Sequence, residues 1–505
     1  MSDGEIPAPL RDLLTAQGVH SSRSRDLISL LCNGFHTLDD LVVTTATPRR
    51  TVEEVLEACA YDLVREGDMM RMATDRVDMY RDLAQPAPPD TEQGELLDTV
   101  RAAVRDVPPP LPGLDHVQAT PETVLRRALW LDERFHLRGA HLLFVGDHDL
   151  TSIAVCAVRD GVRATVVDVD ERLLRYVDDL AAEYGLPVRT LHADLRFGFP
   201  PSLLGTADLV FTDPPYTPEG MRLFLAHGVL GLREPVAGRL IVAYGHTDRA
   251  PELGRKTQAE MLRLGLVFEA ILPDFNRYDG AQAVGSASDL YVCQPTARAA
   301  GQARPTVSSG RTAIYTHGSA SVESAGTPEA ALDALREASA VDDVRGPDWN
   351  DPVEGDAAID LTADPGPWLA RMLLACKGDR VVALVRNNHA DVRNAPGQRN
   401  LARLVGAKYA LSFRRSIAGG RHALVVAERT QSSTVDVQRE LLDRAHGKLA
   451  NTWREALIAA SGGTLTKRAA REQVLAIAPD EDDLEVRLID LPRYRVSAIL
   501  DAAAP

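Results

Sequence analysis

The sequence predicts an α/β protein centred on a doubly wound sheet, and three observations carry that prediction. Between residues 139 and 295, short β-branched runs alternate with amphipathic helical segments, the order that builds an open α/β sheet. The first four runs each close on Gly or Asp, at the edge where such sheets bind ligands. Hydrophobic residues make up 45% and charged residues 25% of the chain, the balance of a soluble globular protein.

The predicted strands are HLLFVG, ATVVDVD, VRTLHAD, ADLVFTD, GRLIVAYG, VFEAILPDF and SDLYVCQP, separated by helices such as ERLLRYVDDLAAEYG and PEGMRLFLAHGVLG. The 505 residues exceed one core and imply about three domains at roughly 150 residues each. Residues 1–84 read as short helices followed by a strand–turn–strand around Gly67, an order similar to a winged helix. Residues 85–120 are a Pro-rich linker with one short helix, since proline removes backbone donors and favours extended chain. An amphipathic helix over 121–137 opens the ligand-binding domain, 121–296. Residues 297–355 read as a loose connector and the start of a second α/β unit. In that unit, 356–430, AAIDLTADPGPWLARMLLACKGDRVVALVRNNH echoes ADLVFTDPPYTPEGMRLFLAHGVL and GRLIVAYGHTD. It reads as a degenerate copy of the sheet's latter half. No glycine-acid loop precedes it, so a packing or dimerisation role is expected. Residues 431–505 read as mainly helical, with a short strand in LEVRLIDL.

Charge narrows the function. Lys and Arg total 56 against 72 Asp and Glu, a formal charge of −16. Such a surface repels phosphate backbones and attracts small cations, so nucleic acid is not an expected partner. With few basic residues (Arg49, Arg50, Arg65) in the N-terminal module, a scaffold or dimerisation role is expected there. No run of about 18 apolar residues is present to span a membrane. The N-terminus lacks the basic and apolar parts of a secretory signal. The five cysteines are scattered, which argues against a disulfide framework or zinc ribbon and for a reducing cytoplasm. No H-E-x-x-H or clustered Cys/His spacing occurs, so no metal is expected.

The candidate site residues sit at the strand ends. Gly146 closes the first strand and lets a ligand approach the backbone. Its loop, G-D-H-D, carries Asp147 and Asp149, which would repel pyrophosphate and favour a sulfonium or an amine; a cap on the next helix is the alternative role for Asp149. His148 reads as a loop or packing residue. Asp168 and Asp170 close the second strand, where an acid accepts ribose hydroxyls. Asp194, after the third, is in the usual place to meet an adenine amino group. F-T-D-P-P-Y-T is the sharpest signal. Asp213 would act as a general base toward an amine, with Pro214 and Pro215 fixing the loop and leaving carbonyls as acceptors. Asn276 and Tyr278, expected on the loop after the sixth strand, are candidates for an acceptor pocket together with Tyr216.

The motifs G146-D-H-D-L-T-S-I-A, D168-V-D-E-R-L and F211-T-D-P-P together resemble the branched-chain polyamine synthases, the N4-bis(aminopropyl)spermidine synthases, over about residues 8–295. That resemblance implies a Rossmann-like, class I methyltransferase-like fold and aminopropyl transfer from decarboxylated S-adenosylmethionine to an amine nitrogen. It implies that Asp149 holds the donor's amine, Asp168 the ribose and Asp194 the adenine, with Asp213 the catalytic carboxylate. His148 stands where the family has an acid, and Tyr216 stands where an acid usually follows Asp-Pro-Pro. The expected protein is thus a cytoplasmic, homodimeric aminopropyltransferase acting on a polyamine-like acceptor. An S-adenosylmethionine-dependent N-methyltransferase acting on a small molecule, peptide or base is the alternative enzyme. A nucleoside-sensing regulator with a DNA-binding winged helix is the non-enzymatic one.

Overall fold

The structure is a computed structural model that describes residues 6–81, 83, 90–280, 285–308, 313–316, 326–431 and 436–504. The chain divides into two compact units: Met1–Arg105 with Thr120–Leu142 and Leu150–Ala164, and Asp106–Ala119 with Leu143–Asp149 and Thr165–Pro505.

In the first unit, strands β1 (His36–Thr37), β2 (Leu63–Glu66) and β3 (Met69–Met72) form a sheet in the order β1-β3-β2. Gly67, at φ +65° in the turn between β2 and β3, occupies a region that favours glycine. The helix Leu38–Thr45 starts at Thr37, whose hydroxyl accepts from Asp40 N–H while the Asp40 carboxylate accepts from Thr37 N–H. Leu27, Leu31, Leu41, Val52 and Val55 bury the inner faces of three helices against Met70 and Met72. A helix spanning Asp90–Asp106 stands where only a short one was expected. Its 17 residues keep a helical apolar spacing that the flanking prolines obscure.

The second unit holds two sheets. The larger contains all seven strands expected between 139 and 295: β4 (His141–Val145), β5 (Arg163–Asp168), β6 (Val188–His192), β7 (Leu209–Thr212), β8 (Arg239–Tyr244), β9 (Leu266–Arg277) and β10 (Ala287–Pro295). Their order is β6-β5-β4-β7-β8-β10-β9. The chain builds outward from β4 in one direction and then in the other, so β4 and β7 flank the switch point of a Rossmann-like sheet. β7 and β8 are parallel, whereas β10 is antiparallel to both β8 and β9. β9 runs to Arg277, which places Asn276 in a strand rather than on the expected loop.

The smaller sheet comprises β11 (Val344–Arg345), β12 (Ala357–Asp360), β13 (Arg380–Arg386), β14 (Tyr409–Ile417) and β15 (His422–Arg429), in the order β11-β12-β13-β15-β14. Its last four strands repeat the order and senses of β7-β8-β10-β9, parallel between the first two and antiparallel thereafter. Two expectations fail around it. The connector contains a helix, Ala299–Ser308, which buries Ala299 and Ala303. LEVRLIDL is not a strand: 3₁₀ turns at Asp482–Glu485 and Leu488–Asp490 take up its ends, and its pairing is limited to an antiparallel bridge between Arg487 and Lys448. None of the described helices is long and apolar enough to cross a membrane.

One side chain ties the switch point together. Thr212 is fully buried, and its hydroxyl donates to the Val145 carbonyl at 2.7 Å, joining the ends of β7 and β4. Thr212→Val keeps the shape and orphans that carbonyl. It should cost about 1 kcal/mol and lower the Tm by about 2 °C in calorimetry. An unchanged Tm would mean the bond contributes nothing.

Candidate active site

The ends of β4, β5 and β7 converge on a cavity of about 530 Å³. Gly146, at φ +72°, follows β4; a side chain there would meet the Phe224 ring at 3.5 Å and the Asp168 carboxylate at 3.9 Å. The glycine therefore keeps open the floor between two strand ends. Six aspartates line the cavity, Asp115, Asp147, Asp149, Asp168, Asp194 and Asp213, and no Lys or Arg is among the described lining residues. Two histidines line it as well. Burial pushes His116 down to about 4 and also lowers His148, so both are neutral at pH 7 and offset none of the negative charge. His148 bonds the Pro108 carbonyl at 3.2 Å and packs against His116, a packing role.

Asp168 ends β5 and is almost completely buried. Burial raises its pKa to about 6, even though the backbone N–H groups of Asp170 (2.8 Å) and Asp147 donate to its carboxylate. Asp149 accepts from the Ala119 N–H at 2.6 Å. It does not cap the next helix, where Leu150 occupies the N-cap position at φ +63°.

Asp213 follows β7 between Thr212 and two buried prolines. Tyr278 donates to its carboxylate at 2.7 Å and Tyr216 at 3.3 Å. Behind Tyr278 stands Ser288, hydroxyl to hydroxyl at 2.8 Å, and the Asn276 amide donates to the Ser288 oxygen at 3.0 Å. Because Asn276 supplies a proton to Ser288, the Ser288 proton is directed to Tyr278 and the Tyr278 proton to Asp213. The chain of donors thus ends on the carboxylate.

Ten expected residues line the cavity: Gly146, Asp147, Asp149, Asp168, Asp194 and Asp213, with Pro214, Pro215, Tyr216 and Tyr278. Two do not. Asp170 caps the helix Glu171–Tyr184 and pairs with Arg172 at 2.6 Å, which occupies both its oxygens. Asn276 is fully buried on β9, where its amide donates to Ser288 and to the Asp289 carbonyl. Asp194 lines the cavity with a carboxylate already holding four donors, three from Arg196 and the Trp368 indole N–H. That exhausts its ordinary capacity and leaves no acceptor for an adenine amino group.

Sequence reasoning missed Asp115 and His116, which it placed in a linker, and Ile314–Thr316, which it placed in a connector. Asp115 has φ +55°, uncommon for a non-glycine residue, and accepts from both the N–H (2.7 Å) and the hydroxyl (2.6 Å) of Thr316. The run PPPLPGLDHV was the available signal: prolines stiffen a loop that carries an acid and a histidine between apolar residues. Among the described residues, no group of three His, Cys, Asp or Glu is placed to hold a metal ion.

Residues 95–294 match the family model of the branched-chain polyamine synthase A C-terminal domain. The central region resembles a branched-chain polyamine synthase. It is 32% identical over 188 residues to an N(4)-bis(aminopropyl)spermidine synthase of Thermococcus kodakarensis, covering 36% of this chain and 53% of the relative. An uncharacterized protein of Methanocaldococcus jannaschii is 33% identical over 192 residues, covering 38% and 48% respectively. The chain spans about half the length of these curated relatives. A solved branched-chain polyamine synthase from Thermus thermophilus, in complex with N4-aminopropylspermidine and 5'-methylthioadenosine, is 22% identical. That match covers 54% of this chain and 87% of the other, with a TM-score of 0.35.

Asp168 makes the site's electrostatics measurable without a ligand. Its folded pKa lies above the unfolded value near 4, so its stabilising contribution is full below about pH 4 and is lost as pH rises through about 6. Asp168→Asn should therefore be more stable than the wild type at pH 7.5, by up to about 3 kcal/mol, with the gain vanishing near pH 4. Melting curves across that range check it; a gain independent of pH would contradict the burial argument.

Proposed function

We propose that this protein is an aminopropyltransferase that moves an aminopropyl group from decarboxylated S-adenosylmethionine to an amine nitrogen of a polyamine-like acceptor. The observation that carries this reading is the cavity's charge: six aspartates and, among the described lining residues, no Lys or Arg. A sulfonium donor with a free amine, and a polyamine acceptor, are both cationic and would be drawn in. Decarboxylation matters on the same ground, since a donor carboxylate would meet aspartates and, among the described lining residues, no Lys or Arg. The resemblance of residues 95–294 to the polyamine synthase family supports the same chemistry.

The reaction follows from Asp213. A free alkyl amine has a pKa of about 10, as the lysine side chain does, so at neutral pH the bound acceptor must lose a proton before it attacks. Asp213, which accepts from the Tyr278 and Tyr216 hydroxyls, orients the amine and takes or relays that proton. The nitrogen lone pair then forms a bond to the methylene carbon beside the sulfonium. The carbon–sulfur bond breaks, its electrons return to sulfur, and 5'-methylthioadenosine leaves. Asp168 would accept the ribose hydroxyls, and Asp147 and Asp149 would hold the donor's ammonium.

The N-terminal module supports a winged-helix-like scaffold better than a DNA reader. Arg49 is paired with Glu53 and Arg50 with Glu54, which makes these two cations less available to phosphates. Tyr216 after Asp-Pro-Pro is the feature that favours the N-methyltransferase alternative, because such an aromatic residue can stack on a planar target.

Product masses distinguish the readings. With spermidine and decarboxylated S-adenosylmethionine, the product should gain one aminopropyl group. A gain of one methyl group from S-adenosylmethionine would establish the alternative, and no transfer from either donor would favour the sensor. Asp213→Asn should lower turnover about 10²- to 10⁴-fold while leaving donor affinity nearly unchanged. Wild-type turnover in that variant would remove the general-base role.

A further inference from the structure

The saturated carboxylate of Asp194 raises the question of what meets the base of a nucleoside in this cavity. Behind Asp194 lies Arg196, buried and absent from the cavity lining. Its guanidinium is sandwiched by aromatic rings, 5.0 Å from Tyr315, 5.0 Å from Trp368 and 5.4 Å from Phe197. These are cation–π distances at a desolvated position, where such contacts are strongest. Of the three rings only Tyr315 lines the cavity, and it does so beside Ala193, Asp194 and Leu195, past the third strand. In open sheets of this kind the base lies toward that strand, beyond the ribose acid that ends the second.

Tyr315 is held on both flanks. The Ile314 carbonyl accepts from the Thr217 hydroxyl at 2.7 Å, and Thr316 donates twice to Asp115. Trp368 is placed with equal care. It opens the helix Trp368–Ala375, and Asp364 accepts from the N–H groups of Gly366 (2.6 Å), Trp368 (3.0 Å) and Leu369 (2.8 Å). His389 contacts the same carboxylate at 3.1 Å. Asp364-Pro365 is the echo of Asp213-Pro214 in the second sheet, and here the acid is spent on backbone donors. The copy of the base has become a helix cap, and the helix it caps delivers the indole N–H to Asp194.

The geometry points to a nucleoside platform built by residues beyond the matched segment: Tyr315 offers the flat face on which the purine lies, and Trp368 fixes that face through Asp194 and Arg196. Trp368 is a positioning residue, since it reaches the cavity's contents only through its neighbours. The inference rests on the reading that an adenosine-type donor occupies the cavity, and it assigns the C-terminal region a part in base selectivity.

Calorimetric titration of the full-length protein with 5'-methylthioadenosine and 5'-methylthiouridine tests it, with melting curves to verify folding. A purine offers a larger stacking face than a pyrimidine, so the wild type should prefer the adenosine compound. Tyr315→Leu, which keeps apolar bulk, should weaken that compound about 5- to 150-fold, the span of base–aromatic stacking, and shrink the preference. Tyr315→Phe keeps the ring and should retain both. Trp368→Phe keeps an aromatic ring beside Arg196 but loses the bond to Asp194, and should weaken the adenosine compound about 3-fold. Equal affinity for both compounds in Tyr315→Leu and wild type, or an equal loss of both, would overturn the platform. A wild type that binds neither compound would overturn the donor reading itself.

Discussion

A cavity whose described lining holds six aspartates and no lysine or arginine is an electrostatic problem that the rest of this structure is arranged around. Taking a carboxylate out of water is costly unless donors or a cation compensate. Asp168 registers that cost directly, with a pKa raised by burial to about 6 despite two backbone donors. The neighbouring histidines cannot relieve it, because the same burial keeps them neutral. A cationic ligand, as proposed above, would offset that cost, so stability given up at these carboxylates would become affinity for it.

The scaffold supplies these carboxylates by ending strands at one edge. β4, β5 and β7 bring Gly146, Asp168 and Asp213 together across the switch point, and the Thr212–Val145 bond fixes the spacing of two of those ends. Asp213 sits at the end of a line of hydrogen bonds that runs from Asn276 through Ser288 to Tyr278. The second sheet repeats half of this architecture without repeating its chemistry. Its Asp364 faces three backbone N–H groups, so the same acid that would serve as a base in one copy serves as a helix cap in the other.

The seven strands of the larger sheet were legible because alternation and strand-end Gly or Asp are local signals. So was the placement of Gly146, Asp168 and Asp213 at strand ends that line one cavity. Asp170 misled because it sits two residues past Asp168, and only the structure shows it turned onto Arg172 to cap a helix. Asn276 misled because β9 runs on past the proline in ILPDF and carries it into a pairing. Asp115 and Tyr315 were illegible for a different reason. Each lies in a Pro-rich or small-residue stretch with no periodicity, and their meeting depends on a pair of hydrogen bonds spanning 201 residues. Likewise nothing in the sequence near Asp194 announces that a tryptophan 174 residues away will occupy its last acceptor site.

The central claim is that the cavity selects a cation and rejects a carboxylate. The most direct measurement is a side-by-side calorimetric titration of the full-length protein with decarboxylated S-adenosylmethionine and with S-adenosylmethionine, two ligands that differ only in that carboxylate. The account predicts tighter binding of the decarboxylated compound, with an advantage that shrinks as salt screens the aspartates. Equal or tighter binding of S-adenosylmethionine would contradict it.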